Sequence, residues 1–203
     1  MDDLSVSAAI LVGGRSARFG GRDKSALLVS GRTILERQVA ELSQLTADIL
    51  LVGGDPPALH DGRVRHVADL VPGRGPLGGL HAALTAARAS VVAIVACDMP
   101  FVSAPLLRYL LTLAHGPDRP EIVVPRTEGG YHPLCAVYTR ACLEPIVRRL
   151  AGGALRVDGL FGEMRVQVVT PDALAPFGDP DRLLANLNTP LEYEAIEAKG
   201  IQS

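Results

Sequence analysis

Tryptophan is absent from this chain, and aromatic residues make up only 4% of it. Single-stranded nucleic acid is usually gripped by stacking on such rings, so that class of function finds no support. Charge of either sign is not in excess: 20 Lys and Arg stand against 22 Asp and Glu, a formal net charge of −2. A surface so balanced does not draw in a polyanion such as DNA or RNA as a whole. No apolar run reaches the roughly 18 residues that a membrane-spanning helix needs. The longest, Val91 to Cys97, has the length of a strand. Cysteine is scarce too, and Cys97, Cys135 and Cys142 follow no paired spacing. That excludes a disulfide framework and suits a reducing compartment. Met1-Asp2-Asp3-Leu4 lacks the basic start of a secretory signal, so a cytoplasmic location is expected. No histidine–cysteine cluster has zinc spacing, and no serine sits in a G-x-S-x-G elbow.

What is present is a core and a local concentration of charge. Of the 203 residues, 48% are hydrophobic, enough for one sizeable domain. Ser7 to Val12 reads as a buried strand that runs into a glycine-rich, basic loop carrying Gly13, Gly14, Arg15, Ser16, Arg18, Gly20, Gly21, Arg22, Asp23 and Lys24. Glycines let the backbone turn tightly and approach a ligand, and the N–H groups so freed can face phosphate oxygens. Four cations in the same stretch point to a nucleotide at the end of a first strand. The loop is not a G-x-x-x-x-G-K-[ST] phosphate loop, and it fails the dinucleotide G-x-G-x-x-G pattern.

Strands then alternate with helices. Thr33 and Glu36 form a capping box for a helix whose apolar face is Ile34, Leu35, Val39 and Leu42. Strands are expected at Asp48–Val52, Val64–Val67, Val91–Ala96, Glu121–Val124, Leu134–Tyr138 and Arg165–Val169. A glycine-rich loop is expected over 69–79, a helix over 80–89, and a helix capped by Ser103. A further helix ends at Leu150, 172–180 reads as a loop, and Thr189-Pro190 opens a terminal helix over 191–198. The alternation implies an α/β, three-layer, Rossmann-like fold with a mostly parallel central sheet. Residues 1–203 make a single domain: 1–125 the nucleotide-binding half, 126–203 the half for a second substrate, with about 126–185 as a lobe over the sheet edge.

Lys24 is placed to meet a phosphate and neutralise charge on a transferring phosphoryl group. Asp98 follows six apolar residues at the C-terminal end of an inferred central strand, the edge that faces the crevice in open α/β sheets. A carboxylate there suits Mg2+, although a cap or turn role also fits. Asp69 fits either a nucleotide contact or a plain turn. Gly73, Gly75, Gly78 and Gly79, with Arg74 and Pro76, fit either a second wall of the cleft or a tight crossover. His132 fits a contact to a polar ring or phosphate, or a hydrogen-bonded structural role. Asn186 and Asn188 offer amides for the edge of a heterocycle, or helix caps.

Five blocks in order and spacing carry a resemblance: the loop from Leu11 to Lys24, Gly75-Pro76-Leu77-Gly78-Gly79, Cys97-Asp98-Met99-Pro100, His132-Pro133-Leu134, and Asn186-Leu187-Asn188-Thr189-Pro190. Together they resemble the molybdenum cofactor guanylyltransferase (MobA) family of the nucleotidyltransferase superfamily. The resemblance implies transfer of GMP from GTP to molybdenum-molybdopterin, with Mg2+ as cofactor and pyrophosphate as the second product. It implies that Leu11, Val12 and Gly13 contact guanine, that Gly14, Arg15, Ser16 and Gly78 line the nucleotide, and that Asp69 lies near it. Lys24, Asp98 and Arg18 are then the catalytic residues, Asp98 the metal ligand, and His132, Arg156, Asn186 and Asn188 face the pterin. Transient contact with a molybdate-insertion protein and with molybdoenzymes is implied as well. Two positions depart from the family pattern: Gly53-Gly54 replaces a segment that often bears asparagine, and Ala154 stands where serine is frequent. A CTP-dependent molybdopterin cytidylyltransferase, a sugar-1-phosphate nucleotidyltransferase and a non-catalytic nucleotide-binding protein are the competing readings. Gly13, where the cytidylyltransferase loop usually has alanine, leaves more room for a purine and favours GTP.

Overall fold

The computed structural model describes residues 5–12, 18–19, 22–23, 28–29, 31–54, 62–71 and 73–187, with the side chains at 18, 19, 22, 23 and 29 left aside. Gly13 to Ala17, Lys24, Asn188 and the expected terminal helix therefore lie outside the described residues, as does the side chain of Arg18.

Twelve strands occur in the described chain. They are β1 (Val6–Leu11), β2 (Arg18–Phe19), β3 (Arg22–Asp23), β4 (Leu28–Val29), β5 (Arg32–Thr33), β6 (Ile49–Val52), β7 (Val64–Val67), β8 (Val91–Ala96), β9 (Ile122–Thr127), β10 (Gly130–Tyr131), β11 (Cys135–Thr139) and β12 (Val166–Val169). The helices are α1 (Ile34–Leu42), α2 (Gly75–Ala86), α3 (Ala104–Ala114), α4 (Leu143–Ala151), α5 (Pro171–Leu174) and α6 (Pro180–Leu183). Eight strands form one sheet in the order β10-β9-β11-β8-β1-β6-β7, with β12 beside β9. The small pairs β2-β3 and β4-β5 stand apart from it.

The central strands are continuous apolar runs because both faces of the sheet are covered. Successive side chains point to opposite faces. Ala8 and Ile10 of β1, Ile49 and Leu51 of β6, and Ala93 and Val95 of β8 enter one core with Leu35, Val39 and Leu42 of α1, Leu106, Leu107 and Leu110 of α3, and Leu183 of α6. Ala9, Leu50, Val92 and Ile94 enter the other with Leu77, Leu80 and Leu84 of α2 and Ile146 and Leu150 of α4. Each fully buried leucine or isoleucine contributes about 2 kcal/mol relative to exposure, so the two cores drive the layering. At the β7 edge burial is only partial, as befits an edge strand.

β1 pairs in parallel with β6 and β8, and β6 with β7. The expected lobe over 126–185 is not what forms. β11 enters the sheet antiparallel between β8 and β9, and β12 pairs in parallel with β9. Cys135, Ala136 and Val137 are fully buried there, and an apolar strand of that kind gains more inside a sheet than over its edge. Three local expectations also change. The glycine-rich run 75–79 is the first turn of α2, not a loop, since small residues let this helix lie close on the sheet. The stretch 172–180 is mostly short helical turns, with Leu174 buried. Ser103 stands at the N-cap of α3 without a side-chain cap bond, and Glu41 Oε2 of α1 accepts from Ala104 N instead, at 2.7 Å. The capping box of α1 forms as expected, with Glu36 N donating to Thr33 Oγ1 at 3.1 Å and Thr33 N to Glu36 Oε2 at 2.8 Å.

Candidate active site at the C-terminal edge of the sheet

The end of β1 is held between its two parallel neighbours. Val12 N donates to Val52 O at 2.8 Å, and Cys97 N donates to Leu11 O at 3.2 Å. The residues that leave β6 and β8 therefore flank the point where the basic loop begins. On the β6 side, Gly53 and Gly54 have φ of +78° and +61°. A Cβ on Gly53 would stand 2.9 Å from Val12 O and 3.2 Å from Asp69 Oδ1, and one on Gly54 only 2.6 Å from Val12 O. Only glycine fits this close approach. The departure from an asparagine-bearing segment thus has a steric cause: the Val12 carbonyl occupies the space a side chain would need. The same contacts bring the Asp69 carboxylate against the β1 exit.

α2 starts close by. Gly79 packs on Leu11, where an added Cβ would lie 3.5 Å from the leucine methyls. Arg74 is the N-cap and makes no side-chain cap bond, Pro76 lies in the first turn, and no acidic residue accompanies it. Uncapped first-turn N–H groups and the positive end of the helix dipole suit an anion. Gly78 is buried within this turn, against Arg74 Cβ and Val71 O.

On the β8 side, the chain turns at Cys97 and Asp98. Asp98 is half-buried, with Oδ1 shielded from solvent. Its carbonyl accepts from Leu187 N at 2.8 Å. That bond brings Asn186, which is exposed, to the Asp98 turn, 88 positions away in sequence. The segment is anchored by buried Leu183, Leu184 and Leu187, and by Arg182 stacked over Phe101 at 5.0 Å. Asp69 and Asp98 thus stand on either side of the exit of β1, the first following β7 and lying against Gly53 after β6, the second following β8.

His132 follows β10. Its N donates to Pro125 O at 2.9 Å, and Nε2 lies 3.0 Å from Thr127 Oγ1. Burial pushes its pKa below the usual histidine value, and Asp181 of α6 opposes this only in part. The ring is therefore mainly neutral near pH 7 and is tied into the fold, whatever else it contacts. Arg156 is exposed, and its guanidinium grips Asp158 in a two-pronged pair at 3.0 and 2.6 Å. The hydrogen bond and charge of Asp158 raise the pKa of Arg156. Among the described residues no group of three or more His, Cys, Asp or Glu forms a cation cage.

Sequence reasoning missed Gln38, Asp181 and the Arg182–Phe101 contact. The signal for Gln38 was available: it sits among Ile34, Leu35, Val39 and Leu42 on the buried stripe of α1, where an amide is out of place.

A mostly parallel sheet covered on both faces by helices is the fold of a nucleotidyltransferase. The match to the MobA-like NTP transferase domain covers residues 8–164, and the chain belongs to that family. It is 35% identical over 195 residues to the molybdenum cofactor guanylyltransferase of Desulfosudis oleivorans, covering 96% of this chain and 95% of that one. The molybdopterin-guanine dinucleotide biosynthesis protein A of Archaeoglobus fulgidus has the same fold, with a TM-score of 0.78 at 22% identity over 97% of this chain and 100% of that one. So does a manganese complex of Rv0371C from Mycobacterium tuberculosis, with a TM-score of 0.58 at 20% identity over 82% of this chain and 87% of that one. Among the described residues no helix is long and apolar enough to cross a membrane.

Proposed function

We propose that this chain transfers GMP from GTP to the terminal phosphate of molybdenum-molybdopterin, giving the guanine dinucleotide cofactor and pyrophosphate. The name of the Desulfosudis relative, similar over nearly the whole of both chains, supports this reading. The observation that carries it is the placing of Asp69 and Asp98 on both sides of the β1 exit, beside the uncapped start of α2. An oxygen of the pterin phosphate attacks the α-phosphorus of GTP, the bond to the bridging oxygen of the β-phosphate breaks, and pyrophosphate leaves with that electron pair. No covalent protein intermediate is needed, so alignment and charge stabilisation supply the catalysis.

The donor set fits Mg2+, which prefers one or two carboxylates together with substrate phosphates and water to a full protein cage. Asp98 would hold the ion and Asp69 would flank it. When bound, the ion neutralises charge on the phosphates. The first turn of α2 offers the backbone N–H groups of Gly75 and Leu77 to phosphate oxygens, and Gly78, whose own N–H donates to Arg74 O at 3.4 Å, is assigned to the nucleotide by resemblance. Leu11, Val12 and Gly13 are assigned to guanine by resemblance. Lys24, Arg18, Arg15, Gly14 and Ser16 are assigned to the phosphates by resemblance alone. His132, Asn186, Asn188 and Arg156 take the pterin side, which makes 126–203 chiefly the pterin half and 1–125 the nucleotide half. Arg156 can exchange Asp158 for a phosphate at little cost, because an ion pair this exposed is screened by solvent. Transient contact with a molybdate-insertion protein and with molybdoenzymes follows from the same reading, as does action in the cytoplasm.

Incubation with Mg2+, molybdenum-molybdopterin and either GTP or CTP tests the proposal. Guanine dinucleotide and pyrophosphate are expected in equal amounts, with GTP clearly preferred. Folded protein that yields no dinucleotide from active substrate would overturn the assignment, and a preference for CTP would move it to the cytidylyl reaction.

A further inference from the structure

The inference concerns Gln38, and it rests on Asp98 being the metal ligand. Gln38 is 2% exposed and lies on the core-facing stripe of α1. Its Nε2 donates to Ala96 O at 2.8 Å and to Met99 O at 2.9 Å. These two carbonyls bracket Cys97 and Asp98. Both amide hydrogens are thus spent across the turn that presents the proposed metal ligand. Two carbonyl acceptors also fix which end of the amide is nitrogen. The other end, Oε1, is buried with no hydrogen-bond partner. An orphaned buried acceptor costs stability, and leucine at this place would avoid that cost while filling the same core. The side chain is therefore poor as core filling, and its value lies in what its NH2 group holds.

We propose that Gln38 is a positioning residue for Asp98: its amide ties both ends of the Cys97–Asp98 turn to α1 and so fixes the carboxylate at the β1 exit. Cys97 N already donates to Leu11 O of β1 at 3.2 Å, which holds the start of the turn. Two other supports are Met99 N to Ala96 O at 3.3 Å and Leu187 N to Asp98 O at 2.8 Å. The first lies within the turn itself. The second comes from the segment that brings Asn186 and reaches the Asp98 end of the turn alone. Gln38 is the tie that joins the turn to a helix of the central core.

The test compares Gln38→Leu with Asp98→Ala and the unaltered protein. Three quantities are measured: the Mg2+ dependence of turnover, binding of Mn2+ together with GTP followed by electron paramagnetic resonance, and GTP binding in EDTA. For Gln38→Leu we expect the half-saturating Mg2+ concentration to rise about tenfold, Mn2+ binding in the presence of GTP to weaken to a similar degree, and kcat to fall about tenfold. Metal-free GTP binding should stay within about twofold, and thermal stability should equal or exceed that of the unaltered protein. If Gln38→Leu does not fold, Gln38→Asn, which keeps the amide but shortens its reach, is put through the same measurements. Metal dependence and kcat within twofold of the unaltered protein, while Asp98→Ala loses both, would overturn the positioning role and leave the functional reading intact. An Asp98→Ala protein with normal metal dependence would overturn both. Equal loss of metal-free GTP binding and of metal affinity would mark Gln38 as a structural residue only.

Discussion

The two ends of the parallel strands treat their carboxylates in opposite ways. At the N-terminal end, Asp48 is nearly buried and fully employed. Ser7 Oγ donates to Oδ2 at 2.6 Å and Arg88 N at 3.0 Å, while Arg65 Nε and Nη2 donate to Oδ1 at 3.0 and 2.7 Å. Arg65 also reaches Ala86 O, and Ser7 Oγ accepts from Ala89 N, so β1, β6, β7 and the loop after α2 are laced together. Burial pushes the Asp48 pKa up, but the bonds from Ser7, Arg88 and Arg65 outweigh it and leave it below the ordinary aspartate value. At the C-terminal end, Asp69 and Asp98 sit where glycines remove side chains and where a helix start is left without a cap. There it is the backbone that is pinned, at Val12, Cys97 and the carbonyl of Asp98. One end uses its acid to close the structure, and the other has its acids beside the exit of β1. A carboxylate at a strand end is read from its neighbours, not from its position in the strand.

The comparison breaks most visibly through Asp98→Ala. Turnover should fall by about three orders of magnitude, equivalent to roughly 4 kcal/mol of transition-state stabilisation. Thermal stability should change little, because the Asp98 carbonyl keeps its bond to Leu187 N, and steady-state kinetics beside a melting curve would check both. Asp48→Ala should do the reverse. It strands Ser7 and Arg65 and should cost about 2–3 kcal/mol in chemical denaturation, with Arg65's partial exposure limiting the loss, while kcat per folded molecule is retained. A large loss of kcat in the folded Asp48 variant would erase the division between the two ends. The smallest effect is in pH. His132 has a folded pKa below its unfolded value, so its contribution to stability is full above about pH 6.5. It is lost as pH falls toward the folded pKa. Denaturation midpoints between pH 8 and pH 5 should therefore decline on the acid side, and the decline should be shallower in His132→Asn.

The sequence was a good guide wherever a local rule decides the outcome. The apolar runs at Val64–Val67 and Val91–Ala96 define strands with those same limits, and the Thr33–Glu36 box caps α1 as its spacing requires. The meeting of Asp69 and Val12 at Gly53 and the bond of Leu187 to Asp98 join segments far apart in the chain, and no local rule states them. Less was legible where tertiary pairing decides. Whether Cys135–Thr139 covers an edge or enters the sheet depends on β8 having an open side, which no local pattern encodes. The helical start at Gly75 was hidden because glycine and proline read as loop, although Pro is tolerated in a first helical turn. Gln38 was hidden by its company, since an amphipathic stripe invites its one polar member to be ignored.

The reversed strand β11 has a consequence for how the chain matures. As synthesis proceeds, β8 emerges with one flank joined to β1 and the other bare until some forty residues later. A bare apolar flank in the middle of a sheet is a template for pairing with another molecule. The first 125 residues are thus half of a building without its load wall. Nascent chains stalled there are exposed to aggregation in a way that chains carried past Thr139 are not.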